Sequence, residues 1–179
     1  MKAYLKWLLS LIFVTILIIV GTVIGILKYP GDVFHSGYQS LVQDQYRILK
    51  NTNDPKIVVV GGSSLAFGLN QQMIEEATGY EVVNLGLHAG LGLWFPTEMA
   101  KTNINEGDIV LVGYEYLWIY GFDAYDQSLI MSGIDDNIEM YRIIPLDKWP
   151  EFLGNIFEYA EIKNTYEDAT GIYSRAAIR

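Results

Sequence analysis

Two adjacent serines have the residue type and the position of a candidate nucleophile. Ser63 and Ser64 follow Gly61 and Gly62, which close the β-branched run 57–60. That run is too short for a helix, so it predicts a strand that is buried on both faces, with a helix after it. A hydroxyl between a strand and a helix is exposed, and the helix N-terminus favours negative charge that develops beside it. The position is therefore suited to a serine nucleophile.

The sequence around these serines predicts three successive β-α units. Further strands are expected at 81–85 and 109–113, and each follows a segment in which apolar residues recur at helical spacing. We expect Asn70 to cap the first of these helices and Gly79 to end it. Such units in succession predict a parallel sheet with right-handed crossovers, and hence a doubly wound α/β fold whose third strand is also buried.

Glycine-rich loops follow all three predicted strands, at 61–68, 84–92 and 113–116. Ligands of doubly wound sheets bind beyond the carboxyl ends of the strands, so these loops should converge on one pocket. Nucleotide-binding motifs are absent, because no lysine stands in the Walker A position and no loop combines G-x-G-x-x-G with an acid at the expected distance. The G-x-S-x-G elbow of α/β-hydrolases also fails, because Leu65 stands where its second glycine belongs.

The first loop resembles the leading motif of the SGNH (GDSL-like) hydrolase superfamily, in which Gly-Asp-Ser or Gly-Ser-Ser follows the first strand and a glycine stands four residues after the nucleophile. Gly62, Ser63, Ser64 and Gly68 match that spacing. The resemblance covers residues 56–116 and implies a flavodoxin-like, three-layer sheet with Ser64 as the nucleophile. It also implies an oxyanion hole built partly by the second loop. The pocket residues that it implies are Gly62, Ser63, Gly86, Ala89, Gly90 and Glu115.

The sequence departs from the superfamily's pattern at two points. Glu115 occupies the place of an asparagine that donates to the oxyanion, and a carboxylate cannot donate unless it is protonated. The superfamily's Asp-x-x-His supplies the general base, but no histidine follows Glu115. For His88, in the second loop, a core or loop role is favoured over a catalytic one. A serine without a base is weakly nucleophilic, so residues 1–179 alone are expected to be nearly inactive.

Two explanations of the missing base stay open. Either the chain is the N-terminal part of a longer protein, with an Asp-His pair beyond residue 179, or it is complete and has lost catalysis. We favour the first explanation, because parallel sheets of this class usually have five strands where the sequence predicts three. Residues 173–179 also contain no turn signal or closing element.

An uncharged apolar stretch at 7–27 has the length of about 20 residues that a transmembrane helix requires. Lys2 and Lys6 precede it, whereas Lys28 is soon followed by Asp32, and this bias places the N-terminus in the cytoplasm. A cleaved signal peptide is the alternative, although its apolar region is usually shorter. The expected organisation is a cytoplasmic N-terminus at 1–6, a single anchor at 7–27, a linker or juxtamembrane helix containing His35 at 28–54, and an extracytoplasmic α/β domain at 55–179.

Composition excludes several classes of function. The formal net charge of −9 argues against a nucleic-acid partner, and the absence of cysteine removes thiolate chemistry and disulfides. No metal or cofactor is predicted, because Asp123, Asp126, Asp135 and Asp136 lack the spacing of a calcium loop and are expected to be solvated turns and helix caps. The aromatic stretch 118–125 suits stacking on a sugar ring, but packing in the core or a lid is favoured.

We expect a membrane-anchored SGNH-like esterase or O-acyltransferase that acts on ester groups of cell-envelope carbohydrate or exopolysaccharide. The resemblance alone implies this substrate class. Ser64 would attack the ester carbonyl, and N–H groups of Ser64 and near Gly90 would hold the oxyanion. One alternative is a non-catalytic extracytoplasmic module that binds a glycan or a partner in the same pocket. Another is a small α/β domain in which the Gly-Ser-Ser loop is only a tight turn.

Overall fold

The fold is given by a computed structural model, which describes residues 2–31, 34, 37–113, 115–116, 120 and 125–165. His35, Trp118, Phe122 and Asp123 lie outside the described residues. The helices are α1 (Lys2–Lys28), α2 (Ser40–Asn51), α3 (Ser63–Gly68), α4 (Gln71–Thr78), α5 (Trp94–Lys101), α6 (Gln127–Ile134), α7 (Trp149–Gly154) and α8 (Ile156–Thr165). The strands are β1 (Lys56–Gly61), β2 (Glu81–Gly86) and β3 (Ile109–Gly113), and short 3-10 helices occupy Ala89–Leu91 and Met140–Ile143.

The three strands form a parallel sheet in the order β2-β1-β3. The three strands end at the same level, because Gly61 at the end of β1 pairs with Gly86 on one side and with Gly113 on the other. The chain therefore leaves β1 toward β2 and returns past β1 to β3. This reversal makes the carboxyl ends of β1 and β3 the place where an open α/β sheet offers a crevice.

Helices pack on both faces of this sheet, as the sequence predicts for an α/β protein. Val58 and Val60 point into the larger core, which α2, α5 and α6 share. Ile57 and Val59 point into a smaller cluster on the opposite face, beside Leu65 and Ile74. Side chains alternate across a strand, so the two helical segments that connect the strands lie on opposite faces.

Local signals of the sequence are confirmed around α4. The Asn70 side chain caps this helix by accepting a hydrogen bond from the Met73 N–H at 3.0 Å. Gly79 ends it with a φ of +75°, a conformation in which glycine carries no Cβ penalty. The segment 70–79 therefore folds as its residue types predict.

The predicted burial of β3 is wrong. Ile109, Val110, Leu111 and Val112 keep between 40% and 46% of their surface exposed. Among the described residues β3 pairs only with β1, so its outer edge and parts of both faces are open. An apolar run shows that a strand is suited to burial, but its actual burial depends on neighbours from other parts of the sequence, which the run does not specify.

Helix α1 is long and apolar enough to cross a membrane, and its most apolar part is not buried by the rest of the described protein. Its last turn enters the larger core, where Leu27 is buried. Helix α2 contributes Leu41, Val42, Tyr46 and Leu49 to the same core. Helix α2 therefore packs as part of the domain.

The end of α1 is tied to the domain by buried polar groups. Asp135 is fully buried and accepts hydrogen bonds from the Gly31 N–H at 2.7 Å and the Tyr159 hydroxyl at 2.8 Å. The Lys163 ammonium pairs with Asp135 at 2.7 Å and donates to the carbonyl of Ile26 at 2.9 Å. We call Gly31, Asp135, Tyr159 and Lys163 the anchor clamp. The expectation of a solvated turn at Asp135 is wrong, whereas Asp126 does cap α6.

The segment 145–159 has Trp149, Phe152, Leu153, Ile156 and Phe157 at helical spacing, a pattern that predicts a turn followed by one helix with a single apolar face. It forms two helices, α7 and α8, and of its apolar residues Phe152 and Ile156 are buried whereas Leu153 and Phe157 are exposed. Helical spacing predicted the helices, but a break at Asn155 redirects part of the apolar face to the surface.

Candidate active site

The side chain of Leu65 lies across the carboxyl ends of all three strands. An added Cβ would lie 2.5 Å from Leu65 at Gly61, 2.6 Å at Gly86 and 2.6 Å at Gly113. These distances are far below van der Waals contact, so no side chain fits at the three strand ends while Leu65 keeps this position. The three glycines let the Leu65 side chain, and with it helix α3, pack against the strand ends. Ser63 and Ser64 begin that helix, two and three residues after the end of β1.

Ser64 and Glu115 form a hydrogen-bonded pair between the ends of β1 and β3. The Ser64 hydroxyl donates to Glu115 Oε1 at 2.8 Å, and the Ser64 N–H approaches the same oxygen at 3.4 Å. Ser64 is exposed and Glu115 is half-buried. A Cβ at Gly62 would lie 2.3 Å from that oxygen, so the absence of a side chain at Gly62 allows the carboxylate to reach the serine.

Glu115 accepts a hydrogen bond in the structure, whereas the sequence places it at the position of a hydrogen-bond donor. Glu115 was expected at the place of an oxyanion donor, but its carboxylate oxygen accepts from the hydroxyl of Ser64. A carboxylate within hydrogen-bond distance of a serine hydroxyl has the geometry of a general base. The sequence places an acid after the third strand, but only the order β2-β1-β3 shows that this position lies next to the end of the first strand.

The N–H groups of the second loop at Gly86 and Gly90 have hydrogen-bond partners inside that loop. The Gly86 N–H donates to Asn84 Oδ1 at 2.9 Å, and the Gly90 N–H donates to His88 Nδ1 at 2.9 Å. Asn84 also donates through Nδ2 to the carbonyl of Leu65 at 3.1 Å, which joins the first loop to the second. Ala89 begins the 3-10 helix and is half-buried. A substrate oxygen reaches the Gly90 N–H only when His88 turns away.

His88 has the loop role that the sequence analysis favoured. Its exposed ring caps the 3-10 helix through the Gly90 N–H and meets Tyr38 edge-on at 6.0 Å between centroids. Because Nδ1 accepts this hydrogen bond, the proton of the neutral ring is assigned to Nε2. Within the described part of the chain, Glu115 is the side chain that hydrogen-bonds to the Ser64 hydroxyl.

A polar cleft of about 510 Å³ lies on the β2 side of α3. Neither Ser64 nor Glu115 lines it, so the serine stands next to this cleft and not inside it. Its walls carry the stacked rings of Tyr38 and Phe67, whose centroids are 6.3 Å apart, and Phe67 is 54% exposed. The other polar lining side chains are mainly amides, namely Gln45, Asn70, Gln71, Gln72 and Asn84.

The aromatic stretch 118–125 is described only at Tyr120 and Tyr125. Tyr120 is exposed, whereas Tyr125 packs edge-on against Trp94 at 5.4 Å between centroids and lies below the Lys148 ammonium at 4.5 Å. Tyr125 therefore packs against its neighbours, as the sequence analysis favoured. In the described ranges, no group of three or more His, Asp or Glu side chains is close enough to hold a metal ion.

Comparison of the chain with protein-family models, with curated proteins and with solved structures finds no match. The assignment of a function therefore starts from the geometry of the Ser64–Glu115 pair and the elements that position it.

Proposed function

We propose that this chain is a membrane-anchored serine esterase or O-acyltransferase in which Ser64 is the nucleophile and Glu115 is its general base. The observation that carries the proposal is the 2.8 Å hydrogen bond from Ser64 Oγ to Glu115 Oε1. It joins a nucleophile to a base at the crevice where ligands of open α/β sheets bind.

The reaction is a two-step acyl transfer. Ser64 Oγ attacks the carbonyl carbon of an ester while its proton passes to Glu115 Oε1, and a tetrahedral oxyanion forms. The oxyanion collapses, the alkoxide leaves with the proton from Glu115, and the acyl group stays on Ser64. Water or an acceptor hydroxyl then attacks the acyl-serine as Glu115 takes its proton, and Ser64 is released when Glu115 returns that proton to Oγ.

Oxyanion stabilisation requires a donor near Ser64. The Ser64 N–H is 3.4 Å from Glu115, a long and weak contact. Protonation of Glu115 weakens that contact further, so the N–H becomes free to donate when the oxyanion forms. Gly90 supplies a second N–H if His88 turns away.

We also propose that the domain has a doubly wound fold of the SGNH type. Its support is the strand order β2-β1-β3, which corresponds to the first three strands of the flavodoxin-like order 2-1-3-4-5. The placement of the connecting helices on opposite faces gives further support.

Carbohydrate esters of the cell envelope are the proposed substrates. Support comes from the cleft beside Ser64, which combines an exposed Phe67 ring with amide side chains that can bind hydroxyl groups. Lys2 and Lys6 on the N-terminal side of α1 support an extracytoplasmic position of the domain. In this position the site faces the envelope.

A second candidate is a non-catalytic glycan-binding module. It is favoured by the internal hydrogen bonds of the Gly86 and Gly90 N–H groups and by a cleft that does not include Ser64. Incubation of the full chain with an aryl acetate, followed by mass spectrometry of its peptides, separates the two candidates. An acetyl group on Ser64 that is absent in Ser64→Ala supports the enzyme. An unmodified Ser64 contradicts it, and retained binding of an envelope glycan would then support the module. Ser10→Ala, in α1, is the matched control.

A further inference from the structure

An apolar cleft of about 960 Å³ lies between the end of α1 and the domain. Ile24, Leu27 and Lys28 of α1 form one wall, and Ile138, Leu146 and Trp149 are among the residues that form the other. The volume is within the range of about 300–1,000 Å³ that is usual for small-molecule sites. We call it the juxtamembrane cleft.

The position of the cleft along α1 defines its depth in a membrane. Lys6 and Lys28 flank the uncharged stretch 7–27. About 20 helical residues cross a hydrocarbon core of about 30 Å, so Lys28 marks the boundary on the domain side. Ile24 is about one helical turn of 5.4 Å nearer the bilayer centre than Lys28. The cleft therefore opens where headgroups meet acyl chains.

The anchor clamp fixes the two walls of the cleft relative to each other. The Lys163 ammonium bonds to the carbonyl oxygen of Ile26, within the α1 wall of the cleft, and to that of Tyr29, just past it. It also pairs with the buried Asp135 at 2.7 Å. Gly31 donates to the same carboxylate at 2.7 Å. The domain thus cannot turn away from the membrane surface without breaking buried polar contacts.

The lining has the chemistry of a lipid-binding surface. Leu146 is 87% exposed and Ile138 is 41% exposed, and acyl chains would cover both. Trp149 has the amphipathic ring that is enriched at membrane interfaces. Lys28 and Arg142 line the same cleft in a chain of net charge −9, and an arginine fork matches a phosphate. Glu98, the acid of the lining, forms an ion pair with Lys101.

We propose that an anionic glycerophospholipid of the leaflet next to the domain occupies the juxtamembrane cleft. One acyl chain lies against Ile24, Ile138 and Leu146, and the phosphate binds Arg142 and Lys28. The inference rests on the membrane anchoring in the proposed function and is independent of the chemistry at Ser64. The lipid makes the domain lie on the bilayer in one orientation.

Lipid preference tests the charged part of the proposal. The full chain is reconstituted in nanodiscs of equimolar phosphatidylglycerol and phosphatidylcholine, and the retained lipids are identified by native mass spectrometry. We expect the wild type to retain phosphatidylglycerol in preference to phosphatidylcholine. In the double variant Lys28→Gln/Arg142→Gln the ratio of the two retained lipids should fall by about thirtyfold, because two cations near an anionic surface contribute about that factor. Arg47→Gln, which lies on α2 and pairs with Asp44, is the control. Equal retention of both lipids in the wild type overturns the proposal.

A depth measurement tests the apolar part. The chain has no cysteine, so Leu146→Cys and Gln72→Cys each accept one spin label. We expect the label at 146 to be accessible to oxygen dissolved in the bilayer and protected from a water-soluble nickel complex, with the reverse at 72. Equal exposure of both labels to water overturns the lipid site. If the chain still co-purifies with the bilayer and Ser64 still becomes acylated, the proposed function stands without the lipid site. If the chain does not stay with the bilayer, the membrane anchoring itself is wrong.

Discussion

The hydroxyl of Ser64 donates to Glu115 at 2.8 Å, although the two residues are 51 positions apart in the chain. The pair forms because β1 and β3 are neighbours in the sheet and end level at Gly61 and Gly113. Gly62 leaves the space that the carboxylate needs. A proton acceptor for the serine is thus present within residues 56–116, where the sequence analysis expected none.

Glu115→Gln tests the role of the carboxylate. An amide keeps the size and a hydrogen bond but cannot take the serine proton, so we expect aryl-acetate hydrolysis to slow by about 10² to 10⁴, the usual contribution of a general base. The exposed Glu76 on α4 gives the matched control Glu76→Gln, which should leave the rate unchanged. Equal rates in wild type and Glu115→Gln would assign the base to another group.

Gly113→Ala tests the packing of Leu65 over the strand ends. Its nearest contacts are all side-chain atoms of Leu65, so we expect a loss of about 1–3 kcal/mol in the free energy of unfolding from overpacking. Leu65→Ala should relieve that loss in the double variant, as measured by urea unfolding in detergent.

Gly61→Ala supplies the contrast. An added Cβ there also lies 2.6 Å from the backbone oxygen of Gly113, which shortening of Leu65 cannot move. Leu65→Ala should therefore fail to rescue Gly61→Ala. Gly154→Ala, where nothing lies within 4 Å, is the neutral control. Equal rescue at positions 61 and 113 would contradict this account.

The buried ion pair at the amino end of β1 predicts a pH dependence of stability. Lys56 Nζ lies 2.8 Å from Asp108 Oδ2, and both side chains are fully buried. Burial opposes the charged forms, but the hydrogen bonds and charges outweigh it. They raise the pKa of Lys56, through Asp108 and Asp54, and lower that of Asp108, mainly through Lys56.

The lowered pKa of Asp108 stabilises the fold above the unfolded-state value of about 3.9, and this stabilisation is lost as pH falls through the folded-state pKa. The raised pKa of Lys56 stabilises the fold below about 10.4, and this is lost as pH rises through the folded-state value. Asp108→Asn should lower the free energy of unfolding by about 3–5 kcal/mol near neutral pH. Below about pH 4 the free energy of unfolding of this variant should depend less on pH than that of the wild type. Urea titrations across pH measure both effects, with Glu106→Gln as an exposed control. If the free energy of unfolding falls at acid pH equally in wild type and Asp108→Asn, the assignment of this pH dependence to Asp108 is contradicted.

The anchor clamp predicts that Lys163→Met loosens the junction of α1 and the domain. Methionine keeps the aliphatic length but removes the Lys163 ammonium from the buried Asp135, and loss of one partner of a buried ion pair typically costs about 3–5 kcal/mol. The Gly31 amide should then exchange its hydrogen faster, since it donates to the same carboxylate. Lys50→Met, at an ion pair of 3.9 Å near the surface, is the control. Unchanged exchange at Gly31 would show that Lys163 does not hold the junction.

Local features of the fold were predictable from the sequence because short-range chemistry determines them. The strands at 56–61 and 81–86 and the Asn70 cap follow from residue type and spacing. The exposure of β3 was not predictable, since an apolar run has the same pattern at an edge and at the centre of a sheet.

The candidate site was predictable as a location but not as a set of roles. Ser64 follows from its place after β1, whereas the role of Glu115 depends on strand order, which is a long-range property. Asp135 likewise has the sequence context of an exposed turn, and it is buried among Gly31, Tyr159 and Lys163, which are all distant in the chain.

The most direct test of the activated serine is the rate at which a fluorophosphonate labels the full chain in nanodiscs. We expect labelling at Ser64 in the wild type, none in Ser64→Ala, and a rate lowered by about a hundredfold or more in Glu115→Gln. Absence of labelling in the wild type, or equal rates in wild type and Glu115→Gln, would contradict the claim that Glu115 activates Ser64.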